Sequence, residues 1–339
     1  MSLAVRFHAL GGPEALQLDD VDVPAPGPGE VLIQTRAWGL NRADVMFRTG
    51  NHFATPKFPQ QQGLEAAGTI ESVGAGVSGF AAGDPVSVIP AFALTEYPLH
   101  ATLALAPARA VVKHPTHLTW EQAAAVWMAY TTAYGALIDI AGLQRHDVVA
   151  IPAASSSVGL AAIQIANLIG ARPIALSRTP HKQDRLMRAG AAAVIATDTE
   201  DVTARLLDLT EGSGVNVILD PVAGPALGAL MAGAARYATV LVYGALSGRP
   251  TELSVLSLLQ KRLTVRGYDM VEVVGDDTRL TRAVKFIVDG LETRALTPTV
   301  DRIFPADQIN DAYTYLEGNA QFGKVVVTAP SHSGPTCTH

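Results

Sequence analysis

Apolar and polar positions along the chain fall into three successive rhythms. Up to about Thr119 the apolar residues come in short runs, among them Val31–Ala37, Ala67–Val73 and Pro85–Ile89. Gly/Pro segments such as Pro24-Ala25-Pro26-Gly27-Pro28-Gly29 and Gly83-Asp84-Pro85 cut them apart. Short runs between such turns predict the strands of a small β-barrel. Helical periodicity begins at Thr119, an N-cap residue with Glu121 or Gln122 close behind. From there to about Gly248, apolar strands alternate with helices: Val148–Ile151, Ile174–Leu176, Val194–Ile195, Val217–Leu219 and Thr239–Val242. That alternation predicts a doubly wound α/β sheet. The chain then runs to Lys324-Val325-Val326-Val327, an apolar strand expected to return to the first region. The expected plan is a nucleotide domain, 120–259, inserted into a split β-rich domain of 1–119 plus 260–330. An active cleft is expected between them. The tail 331–339 is expected to be disordered.

The segment 147–182 carries the densest signal. The run Val148-Val149-Ala150-Ile151 has the length and branching of a buried parallel strand. A small-residue turn, Pro152 to Ser157, leads into an almost wholly apolar helix, Val158 to Ile169, closed by Gly170. A second strand, Pro173–Leu176, follows. Strand, tight turn, helix and strand make the first half of a dinucleotide-binding unit. Aligned on G-x-G-x-x-G, the turn reads Ala154-x-Ser156-x-x-Gly159, so only the third glycine is present. Gly159 lets helix and strand pack closely, and the N–H groups around Ser156, Ser157 and Val158 can face a pyrophosphate. Ser156 places a Cβ in the phosphate's approach. Either its backbone stays at negative φ or it carries strain.

The second strand ends in Ser177, Arg178 and Thr179, with His181 and Lys182 just beyond. An NAD-selective site places Asp or Glu there for the ribose 2′-OH. Hydroxyls and fixed cations without a carboxylate suit a 2′-phosphate, and the residues predict NADPH, held by Ser177, Arg178 and Lys182.

Composition narrows the class further. With 339 residues, 48% apolar and 17% charged, the chain can bury two substantial cores. A net charge of −6 gives no reason to expect nucleic acid or an anionic membrane as partner. The most apolar long stretch, Ala123 to Gly142, includes Thr131, Thr132, Asp139 and two tyrosines, and reads as a buried helix rather than a membrane span. The opening residues lack the apolar core of a signal peptide. The one cysteine, Cys337, lies in the tail, so no disulfide framework or cysteine metal site is expected, and the cytoplasm is the default.

Taken together, the motifs resemble the medium-chain dehydrogenase/reductase family, in its zinc-free quinone oxidoreductase branch. The residues carrying this are Phe7–Leu16, Gly39-Leu40-Asn41-Arg42-Ala43-Asp44, Gly63-Leu64-Glu65-Ala66-Ala67-Gly68, Ala153 to Gly159 with Gln164, Ile218 to Gly224, and Gly323-Lys324-Val325-Val326-Val327. They span nearly the whole length in family order. The resemblance implies a Rossmann domain set into a split GroES-like barrel, a small-molecule substrate and a homodimer. Zinc-dependent members take catalytic ligands at positions that here align with Asn41, Leu64 and about Met128. An amide, an aliphatic chain and a thioether cannot hold Zn²⁺ in their place, and no metal is expected.

Without a Lewis acid, reduction of a quinone, enone or enal asks less of the protein than oxidation of an alcohol. Candidate chemistry then rests on Asn41, able to donate its amide, on His52, where the branch commonly has tyrosine, and on Tyr130. Whether the proton comes from His52, Tyr130 or water stays open. The resemblance further assigns Thr132, Tyr243, Gly244, Phe322 and Lys324 to the cofactor. An enoyl-thioester reductase and a non-catalytic nucleotide-binding protein on the same fold are the competing readings.

Overall fold

The computed structural model describes residues 2–330, so the tail 331–339 and its Cys337 lie outside the described residues. The chain divides into two units. One takes in the described residues up to Met128 and again from Pro298, and the other is Ala129–Thr297.

The second unit is built on a six-stranded parallel sheet. In chain order its strands are Val148–Ile151, Arg172–Ser177, Ala193–Ala196, Val215–Asp220, Ala234–Val242 and Thr264–Gly267. Across the sheet they lie third, second, first, fourth, fifth and sixth. This is the dinucleotide-fold order, and the direction of winding reverses between Val148–Ile151 and Val215–Asp220. All four residues of Val148–Ile151 are buried, as a strand covered on both faces requires. Helix Ser157–Ile169 buries Leu160, Ile163 and Ile165 and ends at Gly170, whose φ of 83° is the left-handed C-cap that glycine adopts without cost.

The expectation for residues 260–297 needs correcting. Strand Thr264–Gly267 completes the parallel sheet by pairing with Ala234–Val242, and helix Asp277–Glu292 also belongs to the second unit. The chain returns to the first unit at Pro298. The apolar stretch after Thr119 is not one helix either: Trp120–Ala123 and Trp127–Tyr134 are separate α segments, and Gly135–Ile140 is a π-helix. Thr119 does cap the first of these, accepting from Gln122 N–H at 3.2 Å. No helix among the described residues is long and apolar enough to cross a membrane.

The first unit is β-rich. Its central strand, Glu30–Gly39, pairs along one flank with Glu65–Val73 and along the other with Leu103–Pro107 at its first half and Lys324–Thr328 at its end. The last pairing sets Val326 opposite Gly39 and Val327 opposite Trp38. The closing apolar run therefore rejoins the first region across the whole inserted unit. Short helix Arg42–Arg48 follows the central strand directly, with Asn41 as its N-cap.

Candidate active site

Each unit carries its own share of the predicted residues. In the second, all of those aligned with the cofactor except Thr132 lie at or after the ends of parallel strands. That carboxyl edge, at the reversal point, is where open α/β sheets bind ligands.

The turn after Val148–Ile151 settles the question posed by its serines. Ser156 has φ −71° and ψ 163°, ordinary extended backbone, so it carries no strain. The left-handed residue is Ala153, at φ 48°. Of the two alternatives for Ser156, the negative φ is the one found, and the positive φ falls three residues earlier. Ser156 Oγ accepts from Gly159 N–H at 3.1 Å, capping the helix, and also meets the Tyr243 phenol. Its hydroxyl is thus committed inside the turn. The N–H groups of Ser157 and Val158, in the first turn, have no intrahelical acceptor. Gly159 is required by contact: a Cβ there would come 2.6 Å from Ala154 O.

Ser177 closes the second strand, and Arg178 follows it exposed to solvent. Lys182 reaches back to the turn, its Nζ donating to Ser155 Oγ at 3.0 Å. Tyr243 and Gly244 follow the fifth strand directly. A side chain at Gly244 would press within 2.7 Å of Pro221 O. Burial raises the Tyr243 phenol pKa, and the nearby Asp220 adds to the rise. Asp220 is a residue that sequence reasoning left without a role. It ends the fourth strand fully buried, and its carboxylate accepts from Val222 N–H at 2.8 Å and Ala223 N–H at 3.0 Å. The Asp-Pro pair at a strand end was the available signal.

Thr132 and Tyr130 share the Trp127–Tyr134 helix, both buried. Tyr130 does not suit a proton donor. Its hydroxyl donates to Gln164 Oε1 at 2.8 Å, and Gln164 in turn bridges to both backbone groups of Thr297. Burial first of all holds the phenol well above its ordinary range. Tyr130 ties helix to loop.

In the first unit Asn41, Glu65 and Lys324 form one buried node. Lys324 and Glu65, each 1% exposed, make an ion pair, and Lys324 Nζ also donates to Asn41 Oδ1 at 2.6 Å. Asn41 Nδ2 donates to Gly39 O at 3.1 Å and to Glu65 Oε1 at 3.2 Å. Met128 N–H completes Glu65, on Oε2 at 2.9 Å. Both amide hydrogens of Asn41 are therefore committed, and its expected role as donor to the substrate is withdrawn. Lys324 was assigned to the cofactor, but its ammonium belongs to this node. Phe322, two residues earlier, is buried, as is Leu64 beside Glu65.

A second buried group, Asp44, lies next to the node. Its Oδ2 accepts from Asn41 N–H at 2.9 Å, while Oδ1 has no protein partner. Desolvation pushes the carboxyl up to about 7, with Glu65 adding to it and Asn41 N–H, Lys324 and Tyr313 opposing. Arg48 stacks over the Tyr313 ring at 4.9 Å and pairs with Glu317. The cluster escaped sequence reading because Tyr313 and Glu317 join it from some 270 residues away.

His52 is half-buried, edge-on to Phe47. Its Nδ1 accepts from Ala54 N–H at 3.0 Å. A neutral imidazole has one donor and one acceptor nitrogen, so the ring hydrogen sits on Nε2. A neutral histidine that gave up this hydrogen would become an imidazolate. Of the three proton sources left open, the arrangement suits His52 less to that task than to a hydrogen-bonding role. Among the described residues no three His, Cys, Asp or Glu side chains gather as a metal-holding group.

Comparison with known proteins agrees with this geometry. Residues 27–152 match the alcohol dehydrogenase GroES-like domain, and residues 157–289 match the model described as zinc-binding dehydrogenase. The quinone oxidoreductase of Lama guanicoe is 31% identical over 329 residues, covering 96% of both chains. Escherichia coli quinone oxidoreductase, solved with NADPH, superposes with a TM-score of 0.87 at 27% identity, over 97% of this chain and all of that one. A highly reducing polyketide synthase of Purpureocillium lilacinum is 28% identical over 310 residues, 90% of this chain but 12% of that protein. The chain belongs to the medium-chain dehydrogenase/reductase superfamily, in the branch of the quinone oxidoreductases.

Proposed function

We propose that this protein is an NADPH-dependent reductase of quinones or α,β-unsaturated carbonyls, working without zinc. The observation that carries the reading is the state of the three ligand positions. Leu64 and Met128 offer no zinc donor of the usual kind, and Asn41 is locked between Lys324, Gly39 and Glu65. The residues at the carboxyl edge fit the cofactor. Gly159 and Gly244 leave backbone unobstructed where added side chains would clash, the helix start offers N–H groups to a pyrophosphate, and Ser177, Arg178 and Lys182 suit a 2′-phosphate. NADPH, when bound, supplies a hydride. His52 then holds the substrate carbonyl through Nε2–H, strengthening its hold as negative charge collects on that oxygen. Water delivers the proton. The test is an absorbance screen of quinones, enals and enoyl thioesters for NADPH oxidation. Turnover confined to alcohols with NADP⁺, lost on zinc removal, would overturn the reading. Enoyl thioesters are the second substrate class, and the same screen separates them.

Arg178→Ala is expected to weaken NADPH about ten- to a hundredfold, with little change for NADH. A lost charge-assisted hydrogen bond costs roughly 1.5–3 kcal/mol. Tryptophan fluorescence titrations report both, and equal losses would remove Arg178 from the 2′-phosphate.

We further propose a homodimer. Strand Thr264–Gly267 is the sheet's edge, and Val255, Leu256 and Leu259 on the adjoining helix are about two-thirds exposed. An unpaired edge beside apolar side chains suits extension by a second copy. Leu256→Glu with Leu259→Glu should yield a monomer in sedimentation, and an unchanged mass would refute this interface. The single cysteine suits a reducing compartment, and the cytoplasm is proposed on that ground.

A further inference from the structure

One side-chain amide in the second unit holds both of that unit's ends. The unit begins within helix Trp127–Tyr134 and finishes at Thr297. Gln164, half-buried on helix Ser157–Ile169, meets the two ends together. Its Oε1 accepts from the Tyr130 hydroxyl and from Thr297 N–H, each at 2.8 Å, and its Nε2 donates to Thr297 O at 3.0 Å. Both lone pairs of the amide oxygen are therefore used. The donor and acceptor of one amide engage both backbone groups of Thr297, as a neighbouring strand would. Tyr130 is buried, and its oxygen also lies against the Thr297 backbone, so the three groups close a triangle. Thr297 is exposed and precedes Pro298, a position that disfavours helix, and its backbone takes its partners from this side chain instead.

We propose that Gln164 is a positioning residue for the cofactor, the latch through which order at the helix N-terminus reaches both ends of the unit. The inference rests on the reading that this N-terminus takes the pyrophosphate of NADPH. Gln164 stands about 10 Å along the helix axis from Ser157. The intervening turns are continuous α-helix, with Leu160, Ala161, Ala162 and Ile163 buried, so they move as one rod. An anion seated on the N–H groups at the start restricts that rod, and Gln164 passes the restriction to Tyr130 and Thr297. The bonds at Thr297 are solvent-exposed, which places them among the first to open, and their opening is the equilibrium that the cofactor biases. Such coupling is reciprocal: what NADPH adds to the closed latch, the closed latch adds to NADPH affinity.

The test is amide hydrogen exchange on the full chain, with and without saturating NADPH, for the parent, Gln164→Leu and Gln164→Glu. In the parent, NADPH is expected to slow exchange at Thr297 about five- to tenfold, the scale of one hydrogen bond. Gln164→Leu should lose that increment while Gly159 and Leu160 still slow, and its Kd for NADPH should rise by no more than the same factor. Glutamate keeps an acceptor for Tyr130 and Thr297, so Gln164→Glu should keep most of the increment. An increment of parent size in the leucine variant would overturn the latch and leave the cofactor site standing. So would a parent in which Gly159 and Leu160 slow but Thr297 does not, a result that needs no variant to fold. No slowing at Gly159 or Leu160 in the parent would overturn the latch and the pyrophosphate reading together.

Discussion

Lys324→Met is expected to destabilise the first unit by about 3–5 kcal/mol. Lys324 and Glu65 lie 1% exposed, and the ammonium is the charge that offsets the carboxylate. Methionine fills a similar volume but leaves Glu65 buried with only neutral donors, from Asn41 and Met128. Removing one partner of a buried ion pair costs this much because the other charge stays behind uncompensated. The loss should appear as reduced hydrogen-exchange protection in strand Glu30–Gly39. Adding Glu65→Gln should recover most of it, since the double variant no longer buries an unpaired Glu65 carboxylate. A single variant costing under about 1 kcal/mol would mean that the pair is hydrated in solution.

His52→Phe is expected to lower kcat/KM for the hydride acceptor about a hundred- to a thousandfold, the range for removing one donor to a developing oxyanion. Phenylalanine keeps the edge-to-face contact with Phe47 and removes only the nitrogens. His52→Tyr returns a hydroxyl donor and should stay within about tenfold of the parent, with NADPH affinity unchanged in both variants. Near-parent turnover in His52→Phe would assign carbonyl binding to another group.

Long apolar runs made the parallel sheet legible. Val148–Ile151 and the helix beginning at Ser157 announce themselves because both faces of the strand and most of the helix are buried. Thr264–Gly267 did not, because an edge strand with three of its four residues exposed has no apolar pattern to read. That silence is why 260–297 was given to the wrong unit. Asn41 was recognisable as important but not for the right reason. Its amide looked available because the groups that occupy it, Glu65 and Lys324, stand 24 and 283 residues away. Tyr130 stayed an open alternative for the same reason, its partner Gln164 standing 34 residues away. Ser156 illustrates the local limit: residue type left open whether its backbone is extended or strained, and it is extended, with the left-handed residue at Ala153.

The pairing of Gly39, Trp38 and Ala37 with the closing strand has a consequence for the order of assembly during synthesis. A ribosome releases Ala129–Thr297 as one continuous segment, whose sheet can close while the remainder is still being made. The earlier segment must wait with the end of its central strand, Ala37–Gly39, unpaired on one flank, and with Asn41 and Glu65 lacking their cation, until residue 324 emerges. During that interval the nascent chain offers an open β edge, and this is the stage at which a chaperone would have most to shield.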